Sequence, residues 1–438
     1  MFMGVFSFSL KMLRKEYKKS LIYMLTLLFT ISVCFIFFDL MDNQLIIGHE
    51  VVKGSAASWA EMSIPISTVL PFLIIMFCCA MIVFANNFYL LGKTKEMAIC
   101  SMSGSSFIDN TLYLTYQNIA ISMIAFPIGL ILGYILSVLS HLVMYYYLNI
   151  QTSIFMTTSS AFTNTIATVF TMIVVIIIFS SGFIHRNDIQ VLLSTQTVNV
   201  HEDKRLFKFP RLFYVGLYIF GIILMLFSEY SVSIFAVPCF LGILGAGGMM
   251  SHVFPYLFSK LKQKFLLDHD ILLISVSNLS YSLKHSILFT TLYSVSSAGL
   301  IALLISQQNS FKEFVIVFIG YIVVSLLLSV SIFYKYLLDI MERGIFYFNL
   351  YKLGYIKKKL KRIIKSEVMM FYSIIILIPL IYIFIIEGRC LLHHNITLLF
   401  GIILILIEVI PMCLVGIMTY YQYRKVVFET IEEGVRYE

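Results

Sequence analysis

Residues 110–184 contain no Asp, Glu, Lys or Arg. No soluble fold leaves a stretch of that length uncharged, and it is too long for a single crossing of a bilayer, which takes about 20 apolar residues. The whole chain follows suit: 60% of its 438 residues are hydrophobic and 12% charged, against roughly 25% charged in soluble domains. Lipid must therefore be its solvent, and the expected fold class is all-α and polytopic.

Apolar runs place ten candidate spans at 21–39, 65–90, 112–138, 163–184, 212–228, 231–251, 286–306, 314–334, 368–387 and 397–420. The first run follows about twenty polar and basic residues and reads as a retained span rather than a cleaved leader. With the N-terminus inside, only Lys53, Lys312 and Arg389 among 31 Lys+Arg face outward, the bias that the positive-inside rule describes. Both termini are then cytoplasmic. The net charge of +8 is accounted for by topology and contact with anionic lipid, not by nucleic acid. Seven cysteines, mostly in apolar runs, do not form a disulfide framework.

An internal repeat runs through the chain. Gly104 and Gly354 are 250 positions apart, as are Gln117 and Glu367, each of the latter pair where the next span begins. Each glycine lies between two helical stretches, where a turn with positive φ is expected. Phe6, Leu10, Leu13 and Tyr17 repeat the spacing of Leu272, Val276, Leu279 and Leu283, an apolar stripe suited to a helix on the inner membrane surface. The chain thus divides into a four-span unit with its amphipathic N-terminal helix (1–190), a linker with spans 5 and 6 (191–265), and a second four-span unit (266–438): a 4+2+4 arrangement.

Sites of chemistry are sparse. Gly92-Lys93-Thr94 ends like a phosphate loop, but Asn87 stands where such a loop needs its first glycine, and the preceding segment is a span rather than a strand. His393-His394 and Asp268-His269-Asp270 lack a third spaced ligand, and neither His49-Glu50 nor His201-Glu202 has a second histidine at the spacing of a zinc protease, so no metal or cofactor is expected. Glu408, in "LILIEVIPM", is a mid-membrane charge that must face a partner or cavity. Asn86, Asn87 and Asn118 suit contacts between helices, and Trp59 suits an interfacial anchor. An intramembrane enzyme would need paired catalytic groups at one depth, and Glu408 has no visible partner.

The segment "KTKEMAICSMSGSS" (93–106) resembles the K/R-x-x-E-x-x-x-L-x-x-x-G-x-S pattern of FtsX/MacB-type ABC transporter permeases. "FNLYKLGYIKKKLKRIIKSE" (348–367) is similar to the bacitracin- and lantibiotic-transport (BceB-like) subgroup, and "HRNDIQVLL" (185–193) and "YYQYRKVV" (420–427) resemble the endings of its fourth and last spans. The resemblance implies a bacterial plasma-membrane permease driven by a separate ABC ATPase dimer, which binds the ATP. Work would reach the outer side by mechanotransmission, acting on a peptide or amphiphile, often with antimicrobial-peptide resistance and a histidine kinase partner. Residues 93–106 and 341–365 would be the ATPase-coupling elements, with Lys93, Lys95, Glu96 and Gly104 in the first and Arg343, Lys352 and Gly354 in the second. Gln117, Glu367 and Glu408 would be the intramembrane polar positions. The subgroup's large outer domain between spans 7 and 8 is missing here, where the loop is about Gln307–Glu313. Ligand capture by that domain does not carry over. The alternative is a nonenzymatic regulator that signals by shape.

Overall fold

The apolar runs become helices. The computed structural model describes residues 2–15, 17–42, 66–148, 153, 155, 157–186, 210–227, 238, 241–242, 244–265, 268–306, 311–393 and 396–436. Among the described residues there is no strand. Among the same residues, seven helices are long and apolar enough to cross a membrane, or up to eight if one bent pair is a single span. The expected span 231–251 is described only at 238, 241–242 and 244–251, and Trp59, Asp188 and the side chain of Lys95 lie outside the described residues.

The chain forms two compact units, Met1–Glu202 and Asp203–Glu438. The first contains α1 (Phe2–Lys15), α2 (Tyr17–Asp42), α3 (Ile66–Gly92), α4 (Thr94–Met102), α5 (Phe107–Leu148) and α6 (Ser159–Arg186). Its central helix is α2, which packs against α3, α5 and α6. The closest approach is made by Gly129 and Gly133 of α5. A Cβ on Gly133 would stand 2.8 Å from the Phe35 Cβ, and one on Gly129 would stand 2.9 Å from the Ile31 Cβ. This G-x-x-x-G spacing lets two backbones meet where no difference in hydrophobicity drives helices together. The Ser32 hydroxyl adds a hydrogen bond of 2.9 Å to the Gly129 carbonyl.

The second unit contains α7 (Arg211–Phe227), a π turn (Met249–Val253), α8 (Phe254–Phe265), α9 (Asp270–His285), α10 (Ile287–Ser306), α11 (Phe311–Lys352), α12 (Lys357–Leu392) and α13 (Leu398–Arg436). The sequence sets 191–265 apart as a linker with two spans. In the structure α7 packs on the π turn and on α12, and α8 packs on α9, so these helices belong to the second unit. A bend of 77° separates α9 from α10.

Helix neighbours repeat between the units. In the first, α1 packs on α5, α2 on α3 and α5, and α6 on α3 and α5. In the second, α9 packs on α12, α10 on α11 and α12, and α13 on α11 and α12. These five pairings correspond, whereas the packing of α2 on α6 has no comparable match between α10 and α13 among the described residues. Length then decides what leaves the membrane. The 42 residues of α11 extend about 63 Å at 1.5 Å per residue, about twice the hydrocarbon thickness of roughly 30 Å. The Gly354 end of α11 therefore stands clear of the lipid when its apolar part, Glu313–Leu337, lies within it.

Candidate functional site: two glycine hairpins and the polar clusters beneath them

The two glycine turns have the same backbone. Gly104 and Gly354, the glycines of positive φ among the described residues, sit at 92° and 94°. In the first turn the Gly104 N–H donates to the Ser101 carbonyl at 3.0 Å and the Ser105 N–H to the Cys100 carbonyl at 3.1 Å. In the second, the Gly354 N–H donates to Tyr351 at 3.0 Å and the Tyr355 N–H to Leu350 at 3.2 Å. Both are Schellman endings, which satisfy the last carbonyls of a helix through a residue of left-handed conformation. The expectation of a positive-φ turn at both glycines agrees with these angles.

A surface-type helix braces each hairpin through the same contact. The Ser9 hydroxyl of α1 donates to the Tyr113 carbonyl at 2.9 Å, and the Ser275 hydroxyl of α9 donates to the Ile363 carbonyl at 3.2 Å. Residues 113 and 363 are again 250 apart. Ser9 and Ser275 keep the same offset as the two apolar stripes, Phe6 to Leu272 and Leu10 to Val276.

Beneath the second hairpin, Glu367 is fully buried and its carboxylate is surrounded by donors. The Arg343 guanidinium reaches Oε1 at 2.8 Å, and the hydroxyls of Tyr336, Tyr347 and Tyr423 donate at 3.0, 3.1 and 3.0 Å. Asn278 Nδ2 donates at 3.1 Å. Arg343 also donates to the Ser282 hydroxyl at 2.8 Å and lies over the Tyr281 ring at 4.5 Å. One carboxylate thus joins α9, α11, α12 and α13. Burial alone lowers the pKa of Arg343, but the charge of Glu367 outweighs it and holds the guanidinium above its ordinary range. With its oxygens so fully engaged, Glu367 clamps helices rather than offering a free base.

The first unit builds a neutral version. Gln117 holds the position equivalent to Glu367, accepts from the Tyr89 hydroxyl at 2.6 Å and donates to the Ser9 carbonyl at 3.4 Å. Lys93 stands 250 positions before Arg343 and is 1% exposed. It pairs with Glu96 at 3.0 Å on its own hairpin arm, and Glu96 accepts from the Tyr113 hydroxyl at 2.9 Å. Ser106 and Asp109 close a capping box at the start of α5, with the Asp109 N–H on the Ser106 hydroxyl at 3.2 Å and the Ser106 N–H on the Asp109 carboxylate at 3.1 Å.

The structure turns several of the sequence-selected charges inward. Lys93, Glu96 and Arg343 brace the hairpins from beneath, and Lys352 is exposed on the hairpin arm, 4.6 Å from the Phe348 ring. What the tips offer outward is apolar: Met102 is 69% exposed, Leu353 77% and Ile356 67%. Glu408 is buried among α10, α11 and α13. The Tyr321 hydroxyl donates to its Oε2 at 3.3 Å and the Tyr293 hydroxyl to its backbone carbonyl at 3.0 Å, while its Oε1 has no partner among the described residues.

Sequence reasoning passed over a buried cluster at the other end of the first unit. Asp39 is fully buried and accepts from the Ser137 hydroxyl, from His141 at 3.2 Å and from the Thr158 N–H at 3.0 Å. Its one visible signal is an aspartate placed just before the end of an apolar run.

No model of a known protein family matches the chain, and no curated protein does either.

Proposed function

We propose that the chain is the permease subunit of an ABC transporter of the FtsX/MacB type, gripped on its cytoplasmic side by a separate ATPase dimer. The reading places it in a plasma membrane as a ten-span, 4+2+4 protein with both termini inside. Its work is the transport of a peptide or amphiphile, or the mechanical transmission of ATP-driven movement to the outer side. One observation carries it: two hairpins of the same backbone, 250 positions apart, each braced by the same serine-to-carbonyl bond from a preceding helix. A motor with two equivalent faces calls for two equivalent grips, and a duplicated chain supplies both. The polar clusters beneath them give a push on a hairpin a stiff route into the spans, because buried, satisfied hydrogen-bond networks resist deformation.

Tagged protein purified from its own membranes is expected to bring down an ATPase that carries a phosphate loop. Aspartate at the exposed tips, as Met102→Asp or as Leu353→Asp with Ile356→Asp, should lower its recovery about tenfold, the effect of losing roughly 1.4 kcal/mol at an apolar contact. Full recovery with both tips altered, or ATP hydrolysis by the purified chain alone, would overturn the assignment.

A further inference from the structure

We propose that α8 is a binding site for anionic phospholipid, with Arg211, Lys260 and Lys264 on the headgroup phosphate and Leu257 and Leu261 in the acyl boundary. The inference requires only that the protein is embedded in a membrane, and it stands apart from the transporter reading.

Depth comes first. Arg211 opens α7, an apolar helix whose Leu212, Phe213, Phe220 and Phe227 are exposed at 82, 44, 50 and 84%. Such a surface belongs in lipid, so the arginine at its end marks the polar boundary. Its guanidinium lies 4.0 Å over the ring of Tyr256 in α8. Beside it, the rings of Tyr214 and His252 pack at 5.4 Å and join the start of α7 to the π turn that leads into α8. Tyr256 therefore shares the depth of Arg211, the level at which tyrosine collects in membrane proteins.

Phe254, Pro255, Phe258 and Lys262 form the half-buried side of α8, and burial lowers the pKa of the Lys262 ammonium. On the other side Tyr256, Lys260 and Lys264 follow one another at i, i+4 and i+8, and Leu257 and Leu261 run alongside at i and i+4. The two leucines are each 43% exposed. A row of cations beside a row of exposed leucines, at headgroup depth, is the arrangement of an interfacial helix that reads lipid charge. No acidic residue occurs between Glu229 and Asp268, so nothing on this helix repels an anion. Each cation near an anionic surface contributes attraction of its own.

The test uses the purified full-length chain in a nonionic detergent. Added phosphatidylglycerol is expected to raise the thermal midpoint by about 3–5 °C, the scale of saturating a site of moderate affinity, with no rise from phosphatidylcholine or inorganic phosphate. Lys260→Gln with Lys264→Gln should remove more than half of the rise, measured from that variant's own lipid-free midpoint. The double Arg variant at the same positions should keep the rise, and so should Lys358→Gln with Lys361→Gln on α12. An undiminished rise in the glutamine pair overturns the proposal, and so does an equal rise with inorganic phosphate. If the glutamine pair loses ATPase recovery but keeps its lipid response, α8 belongs to a protein partner and the lipid site is refuted.

Discussion

Replacing Arg343 by alanine is expected to lower the thermal midpoint of the purified protein by about 10 °C. The physical cause is the charge left behind. Glu367 is fully buried and Arg343 is its one cationic contact, at 2.8 Å among the described residues. Removing one partner of a buried pair costs about 3–5 kcal/mol, and a domain of 150–250 residues loses about 2–4 °C per kcal/mol. The first unit points to the rescue. There Gln117 occupies the equivalent position, with a tyrosine hydroxyl on its oxygen and a serine carbonyl on its amide. Glu367→Gln added to Arg343→Met should therefore recover most of the loss, because the tyrosines keep an acceptor and no charge is stranded. If the double variant proves no more stable than Arg343→Ala, Glu367 is not held by charge compensation and the clamp is misassigned.

Gly133→Leu should be nearly as damaging, through sterics alone. A Cβ at this position would meet the Phe35 Cβ at 2.8 Å and the Ser32 Cα at 3.2 Å, atoms fixed to the backbone of α2 that cannot swing aside. Separating α2 from α5 also breaks the Ser32–Gly129 hydrogen bond. Overpacking of this kind costs typically about 1–3 kcal/mol. The loss of a bond with no water to replace it adds to that. A drop of about 5–10 °C is expected. Gly182→Leu on α6 is the control, since nothing lies within 4 Å of a Cβ there, and its midpoint should stay within about 1 °C. Equal behaviour of the two variants would show that the glycines do not set the approach of α2 and α5.

What could be read from the sequence was whatever repeats or alternates locally. Gly104 and Gly354 announced their turns because a left-handed backbone position selects glycine. The stripes at Phe6 and Leu272 announced helices because apolar residues must share one face. Gln117 and Glu367 were matched by spacing alone, and both prove to be fully buried hubs. The direction of the charges was not legible. A lysine or arginine at the end of a span looks the same in sequence whether it faces water, as Lys352 does, or turns inward to a carboxylate, as Lys93 and Arg343 do. Asp39 and His141 could not be paired beforehand, because they lie on different helices and only the packing of α2 on α5 brings them to 3.2 Å. Residues 254–265 fell in the linker beyond the last run of spans 5 and 6, because twelve residues with three lysines are too few and too charged to cross a bilayer.

The account rests on both hairpins emerging on the inner face of the membrane. Single cysteines at Ser105 and at Leu353, in a chain whose native cysteines are replaced, decide this when treated with a membrane-impermeant maleimide. Both sites should label in inverted vesicles and remain unlabelled in intact cells. Labelling of either one from outside the cell would contradict the account.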